Sequence, residues 1–155
     1  MSGAAQGLDK YILFSVAGTT YALPSGVVRH MEMIDGITRV PNAPSFIDGV
    51  VFSRGQVVPV VNLRARFGFE RAAFDLRSRL LVVQSGARQI GLVADTAREF
   101  VNIPADAIQS PNEALAGMSG RYVEGIASIG DRLVLVLSLD RILNFAEAQT
   151  VGLAD

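Results

Sequence analysis

His30 is the single histidine of the 155-residue chain, so neither a histidine pair nor a histidine-based metal cluster has a second member. A catalytic triad around it needs a nucleophile presented on a strained elbow, and no Gly-x-Ser-x-Gly sequence supplies one. Gly125 and Gly130 have the spacing of a phosphate loop, but Asp131-Arg132 follows where such a loop carries Lys-Ser or Lys-Thr. Lys10, the only lysine, lies in the N-terminal tail, where no burial desolvates an amine for Schiff-base chemistry. Asp95 and Glu99 are four positions apart and read as solvated charges on a strand edge. No nucleophile, base and oxyanion set assembles from these residues. The chain is expected to be no enzyme and to need no cofactor or metal.

Arg54 carries the sharper signal. It falls in a tight turn, Ser53-Arg54-Gly55, between two apolar runs. A guanidinium at a hairpin tip presents a planar five-donor fork, suited to a carboxylate on a partner protein. The plainer reading is a solvated turn cation, and local sequence leaves both open. His30 likewise reads as a partly buried polar residue on a half-exposed strand.

The elements that must hold Arg54 come as a repeat. Phe46-Ile-Asp-Gly-Val-Val-Phe-Ser-Arg-Gly-Gln-Val-Val-Pro-Val-Val-Asn-Leu-Arg64 and Tyr122-Val-Glu-Gly-Ile-Ala-Ser-Ile-Gly-Asp-Arg-Leu-Val-Leu-Val-Leu-Ser-Leu-Asp140 match without a gap, 76 positions apart. Gly49 pairs with Gly125 and Leu63 with Leu139. Residues 13–31 and 81–100 match more loosely, around Gly18 and Gly86. Such duplication reads as a two-lobed β scaffold. Strands are expected over 11–16, 20–23, 49–52, 56–61, 79–83, 89–94, 99–103, 123–129 and 132–137, with 27–34 a strand or short helix. Asn62 and Ser138 are matching helix N-caps, opening short helices over 63–67 and 139–145, with Ile142 and Phe145 turned inward. Pro59 inside an apolar run predicts an edge strand or a bulge. Val60 and Val136 are expected in the core, as are Val27, Val28 and Met31. Residues 68–78, polar and Arg-rich, are the expected seam between the lobes, where a change at Arg71 is expected to do little. A loop of the length of 104–120 calls for a helical turn or a binding role.

Composition supports a packed domain: half of the residues are hydrophobic and 19% are charged, which argues against disorder. The net charge of −1 argues against a nucleic-acid or anionic-membrane partner. Cysteine is absent, which removes disulfides and suits the cytoplasm. The first ten residues lack the pattern of a secretion signal. No apolar run approaches the roughly 18 residues of a membrane helix, so membrane insertion is not expected.

Phe46-Ile-Asp-Gly-Val, Arg54-Gly, Val58-Pro-Val-Val-Asn-Leu-Arg64, Phe67, Gly91-Leu-Val-Ala-Asp95, Tyr122-Val-Glu-Gly and Asp131-Arg132-Leu133 together resemble the CheW family of bacterial chemotaxis coupling proteins. The resemblance runs from about Tyr11 to Phe145. It implies an all-β fold of two small five-stranded β-barrels packed on a shared apolar interface, with short helices. The chain is expected to divide into an N-terminal tail (1–10), one domain (11–145) and a C-terminal tail (146–155), with Met1 to Leu8 and the residues from Gln149 read as mobile. The resemblance implies a cytoplasmic, non-catalytic adaptor that joins chemoreceptor tips to the regulatory domain of the histidine kinase CheA. Val28, His30, Gly49, Arg54 and Gly55 are the partner-binding residues it implies. His30 and Phe52-Ser53 depart from the family, which often has Glu at the first position and Asn-Leu at the second. The alternatives are an adaptor of a non-flagellar chemosensory pathway, governing pilus motility or biofilm formation, or a barrel that binds a small apolar ligand.

Overall fold

Apolar runs without clean alternation need burial on both faces, and the computed structural model, which describes residues 9–111 and 120–144, shows where each face goes. Strands β1 (Asp9–Val16) and β2 (Thr19–Pro24) form the first hairpin. One face, Tyr11, Leu13 and Ala22, lies inside the curl of its own sheet with Ile103, Ala127, Val134 and Val136. The other, Ile12, Phe14, Val16, Tyr21 and Leu23, packs into a core shared with the second sheet. That second sheet has its own filling of Val51, Val58, Val60, Leu80, Val82 and Val93. Each lobe therefore has an interior occupied by side chains, as small barrels do, which disfavours the ligand-binding alternative. Val60 and Val136 are buried as expected.

A 3-10 turn, Ser25–Val27, leads into β3 (Val28–Glu32). Next come β4 (Ile47–Ser53), β5 (Gln56–Asn62), helix α1 (Leu63–Arg66), β6 (Arg79–Ser85), β7 (Arg88–Ala94) and β8 (Thr96–Ile103). A 3-10 turn at Ala105–Ala107, β9 (Ile108–Gln109), β10 (Val123–Ile129), β11 (Arg132–Leu137) and helix α2 (Leu139–Ile142) complete the described residues. The 3-10 turn and β9 occupy part of the long loop. Residues 112–119 of that loop, Phe145 and the C-terminal tail lie outside the described residues. β1 begins at Asp9, so Asp9 and Lys10 belong to a strand rather than to the expected tail.

The strand order is β8-β1-β2-β11-β10-β9 in one sheet and β3-β6-β7-β5-β4 in the other. The fold is mostly β with two short helices, as expected. The two expected small β-barrels are present as two curled sheets, one of five strands and one of six, each ladder ending on two edge strands. The expected seam at 68–78 is corrected. That segment joins β5 to β6, which lie in the same sheet. The duplicated units have exchanged halves: hairpin β1–β2 pairs with β8 and β11 of the second copy, and hairpin β6–β7 with β3 and β5 of the first. The chain crosses between sheets after β2 and after β7.

The repeat survives in detail. The amides of Asn62 and Ser138 donate to the carbonyls of Phe46 and Tyr122 at 2.8 and 2.9 Å. Asn62 Oδ1 caps α1 through Ala65 N–H at 3.2 Å, and Ser138 Oγ caps α2 through Arg141 N–H at 3.3 Å. Both hairpins bulge at the same place, with a register shift around Asp48 in β4 and around Glu124 in β10. Pro59 sits in an interior strand, not an edge. Its partner Val50 turns its own N–H and C=O toward Thr38, so the Val50–Pro59 pair exchanges no ladder bonds, and the parallel ladder with β7 starts one residue later, at Val60. The proline ring therefore costs no hydrogen bond.

Candidate partner-binding surface

The β4–β5 hairpin is made by its turn. Arg54 has φ +49° and Gly55 φ +83°, the left-handed pair of a type I′ turn that matches strand twist. Gly suits the second position. Arg at the first carries a Cβ penalty of about 1–2 kcal/mol that Gly or Asn escapes. Arg54 is exposed, and among the described residues no side-chain hydrogen bond or ion pair offsets that cost. Beside it, Phe52 and Val57 are directly opposed across the hairpin and are 75% and 66% exposed. Phe52 points out because its neighbours Val51 and Ser53 point in, a consequence of strand period two. Sequence reasoning missed this pair; the signal was the alternation itself, masked by apolar residues on both faces.

Gly49 is placed otherwise than a contact residue would be. It is buried at φ +144°, and a Cβ there would overlap the Thr38 carbonyl oxygen. Thr38 exchanges two 2.8 Å hydrogen bonds with Val50, so Gly49 lets a second segment close onto β4. Its influence on any partner runs through hairpin geometry. Gly55 belongs to the tip with Arg54.

β3 presents a different face from the one expected. Val28 is half-buried against the shared core, and the His30 ring is turned inward. The exposed residues of the strand are Arg29 and Met31, followed by Met33, so Met31 is also not a core residue. A hydroxyl does stand near the histidine: Ser53 Oγ is 3.2 Å from His30 Nε2. Glu32 Oε2 accepts from Ser53 Oγ at 2.6 Å and lies 2.6 Å from the same Nε2. One carboxylate oxygen thus gathers both donors. A triad instead has the acid on Nδ1 and a free Nε2 facing the hydroxyl. The two departures noted in the sequence, His30 and Ser53, touch each other.

Two guanidinium clusters brace the surface. Arg64 of α1 donates to both oxygens of Asp95, with Nη2–Oδ2 at 2.7 Å and Nε–Oδ1 at 3.0 Å, and Asp95 Oδ2 accepts from Ala17 N–H at 2.8 Å. Asp95 is therefore paired and not the solvated edge charge its sequence suggests. Burial alone pushes its carboxyl up, but the Arg64 guanidinium and the Ala17 amide outweigh it and hold the group below the usual carboxylate range. Arg71 donates to Asp48 Oδ1 at 2.9 Å and contacts the Ser45 carbonyl, while Asn62 Nδ2 donates to the other Asp48 oxygen at 2.8 Å. Arg71 is thus a strap across the β4 bulge, and the expectation that changing it does little is withdrawn. Arg66 joins the two copies: its Nε donates to the Ile142 carbonyl at 2.8 Å, its Nη2 reaches the Arg141 and Asn144 carbonyls, and its guanidinium lies 4.4 Å from the Phe46 ring centre and 5.0 Å from that of Tyr122.

Among the described residues no group of His, Asp or Glu has the geometry to hold a metal, and no helix is long and apolar enough to cross a membrane. The hairpin surface combines an exposed apolar pair, Phe52 and Val57, with the exposed Arg54 at the tip.

Comparison with known proteins places this geometry. Residues 10–147 match the family model of the CheW-like domain. The chain is 31% identical to the chemotaxis protein CheW of Helicobacter pylori over 86% of this chain and 81% of that one. It is 25% identical to CheW of Klebsiella aerogenes, covering 92% and 86%, and 29% identical to the protein FrzA of Myxococcus xanthus, covering 98% and 96%. The crystal structure of the scaffolding protein TtCheW from Thermoanaerobacter tengcongensis superimposes with a TM-score of 0.81 at 28% identity, covering 88% of this chain and 93% of that one.

Proposed function

Since this chain belongs to the CheW-like domain family, a family of non-catalytic scaffolds in chemotaxis signal transduction, we propose that it couples chemoreceptor tips to the CheW-like regulatory domain of the histidine kinase CheA in the cytoplasm. The observation that carries this reading is the β4–β5 tip, where Phe52, Val57 and Arg54 are exposed on a hairpin held rigid at its base. Fixed apolar area beside a pre-placed cation is the composition of a binding hot spot. Coupling is geometric: the scaffold holds receptor and kinase in one arrangement, so movement of one biases the other. The residues assigned to contact are Phe52, Arg54, Gly55 and Val57, with Arg29 and Met31 on β3. Val28, His30 and Gly49 support them from beneath.

Titration calorimetry of the intact chain against the kinase regulatory domain and against a receptor-tip fragment tests the proposal. Arg54→Glu sets like charges against a partner carboxylate and should weaken one of the two affinities by about 2 kcal/mol or more. Arg132→Glu, at the opposite hairpin, should leave that affinity unchanged. Unaltered binding of both partners by Arg54→Glu returns Arg54 to a solvated turn cation. Binding of neither partner by the unaltered chain refutes the coupling role.

A further inference from the structure

The backbone ladders leave the five-stranded sheet with two edges, β3 and β4, on either side of the curl. Side chains meet across that gap. Glu32 is the last residue of β3 and Ser53 the last of β4. Ser53 Oγ donates to Glu32 Oε2, and His30 Nε2 lies against the same oxygen. Because that oxygen takes both donors, the Nε2 position carries its proton and the hydroxyl points away from the ring; the arrangement fixes shape and activates nothing. The cluster is withdrawn from water: Ser53 is 4% exposed, and the side chains of His30 and Glu32 are 11% and 29% exposed. Its neighbours across β3, Leu80 and Val82 of β6, are apolar and buried, so the three polar groups find their hydrogen bonds in one another.

We propose that His30, Glu32 and Ser53 form a side-chain bolt that closes the curled five-stranded sheet between its two edge strands, and so positions the hairpin tip bearing Phe52 and Arg54. Ser53 is the residue immediately before the turn, so the bolt acts at the root of the exposed tip. Without it, β4 is held along one side by β5 and by the single bridge to Thr38. The closure stands on the geometry alone; the positioning role rests on the partner-surface reading above.

Residue-resolved amide exchange on the intact chain tests the closure. Ser53→Ala and His30→Ala should each speed exchange at residues 29–32 and 50–53 by about tenfold or more, while β1 and β2 keep the unaltered rates. Ser53→Thr keeps the hydroxyl and His30→Gln keeps a side-chain N–H donor, so both should exchange nearly as the unaltered chain does. The double alanine variant should be no faster than the faster single one, since one cluster can be broken only once. Unchanged exchange in the alanine variants, additive effects in the double, or Thr and Gln variants as fast as the alanines would overturn the bolt. Calorimetry with the kinase regulatory domain and the receptor-tip fragment separates the two readings. If the unaltered chain binds neither, the partner-surface reading fails and the exchange result still decides the closure. If it binds, a loss of at least about threefold in affinity in Ser53→Ala, with Arg54 and Phe52 intact, supports positioning, and an unchanged affinity overturns it.

Discussion

Arg54 is held in a conformation that its side chain disfavours, and that makes stability and binding separable at one position. At φ +49° its Cβ crowds the following carbonyl, at a cost of about 1–2 kcal/mol that Asn largely avoids. Arg54→Asn should therefore stabilise the fold by about 1 kcal/mol. Arg54→Gly relieves the same crowding but adds about 0.5–1 kcal/mol of freedom to the unfolded chain, so its net gain should be about 0.5 kcal/mol. Both variants remove the guanidinium, and both should weaken partner binding where the partner meets it with a carboxylate. Ala17, at φ +50° before Gly18, supplies a matched control in the same kind of turn. Ala17→Gly should gain about 0.5 kcal/mol in stability with no change in affinity. Urea melts give the stabilities and titration calorimetry against the kinase domain and the receptor fragment gives the affinities. An Arg54→Asn variant less stable than the unaltered chain would mean that the strain is absent, and one that binds both partners as tightly as before would remove the guanidinium from the contact.

Further expectations follow from residues that join elements. Arg66→Ala removes hydrogen bonds from a charged donor to the carbonyls that end α2, together with stacking on Phe46 and Tyr122, and should cost about 2–4 kcal/mol in urea melts; Arg66→Lys should recover little, because an ammonium reproduces neither the fork nor the stacking. Gly49→Ala drives a methyl into the Thr38 backbone and should cost on the order of 2–4 kcal/mol, with loss of amide protection at Thr38 and Val50 as the local signature. Asp95 has a folded-state pKa below its unfolded one, so its pairing contributes stability above the ordinary aspartate range, near pH 4, and that contribution is lost as pH falls through the depressed value. The stability gap between the unaltered chain and Asp95→Asn should accordingly be constant from pH 6 to about pH 5 and narrow below about pH 4, as read by urea melts across that range.

The strands, the hairpin turns and both helix caps were legible because each is written locally: β10 and β11 fall where the apolar runs end, and Asn62 and Ser138 cap where short polar residues meet Leu63 and Leu139. The division into lobes was not, because repeat similarity reports which segments are alike and not which of them pair. Exchange of β3 and β8 between the copies leaves every local signal unchanged. The facing of Val28, His30 and Met31 was hidden for another reason: period two holds through β3, but its inward positions include the polar His30 and Glu32 and its outward ones the apolar Met31, so residue type assigns the faces the wrong way round. Arg71 read as part of a polar stretch, and Arg64 and Arg66 only as members of a short helix, because their partners, Asp48, Asp95 and Ile142, lie 23, 31 and 76 positions away.

Duplication also explains how one small body can offer two different surfaces. The Arg54-Gly55 tip and the Gly130-Asp131 tip close equivalent hairpins, one on each sheet. The fold supports both in the same way, through a bulge glycine, an apolar strand and a capped helix. Their chemistry differs at the tip itself. Where the first tip carries Phe52 opposite Val57 beside a cation, the second carries Ser128 opposite Leu133 beside an acid. Gly49 and Gly125, Val58 and Val134, and Val60 and Val136 keep their character between the copies, whereas Phe52 and Ser128, and Arg54 and Gly130, do not. Exposed tip residues contribute little to folding, so the fold itself sets few limits on what each tip carries. Arg66 ties the two copies to each other through the carbonyls that end α2, which helps to keep the two tips in a set relative orientation.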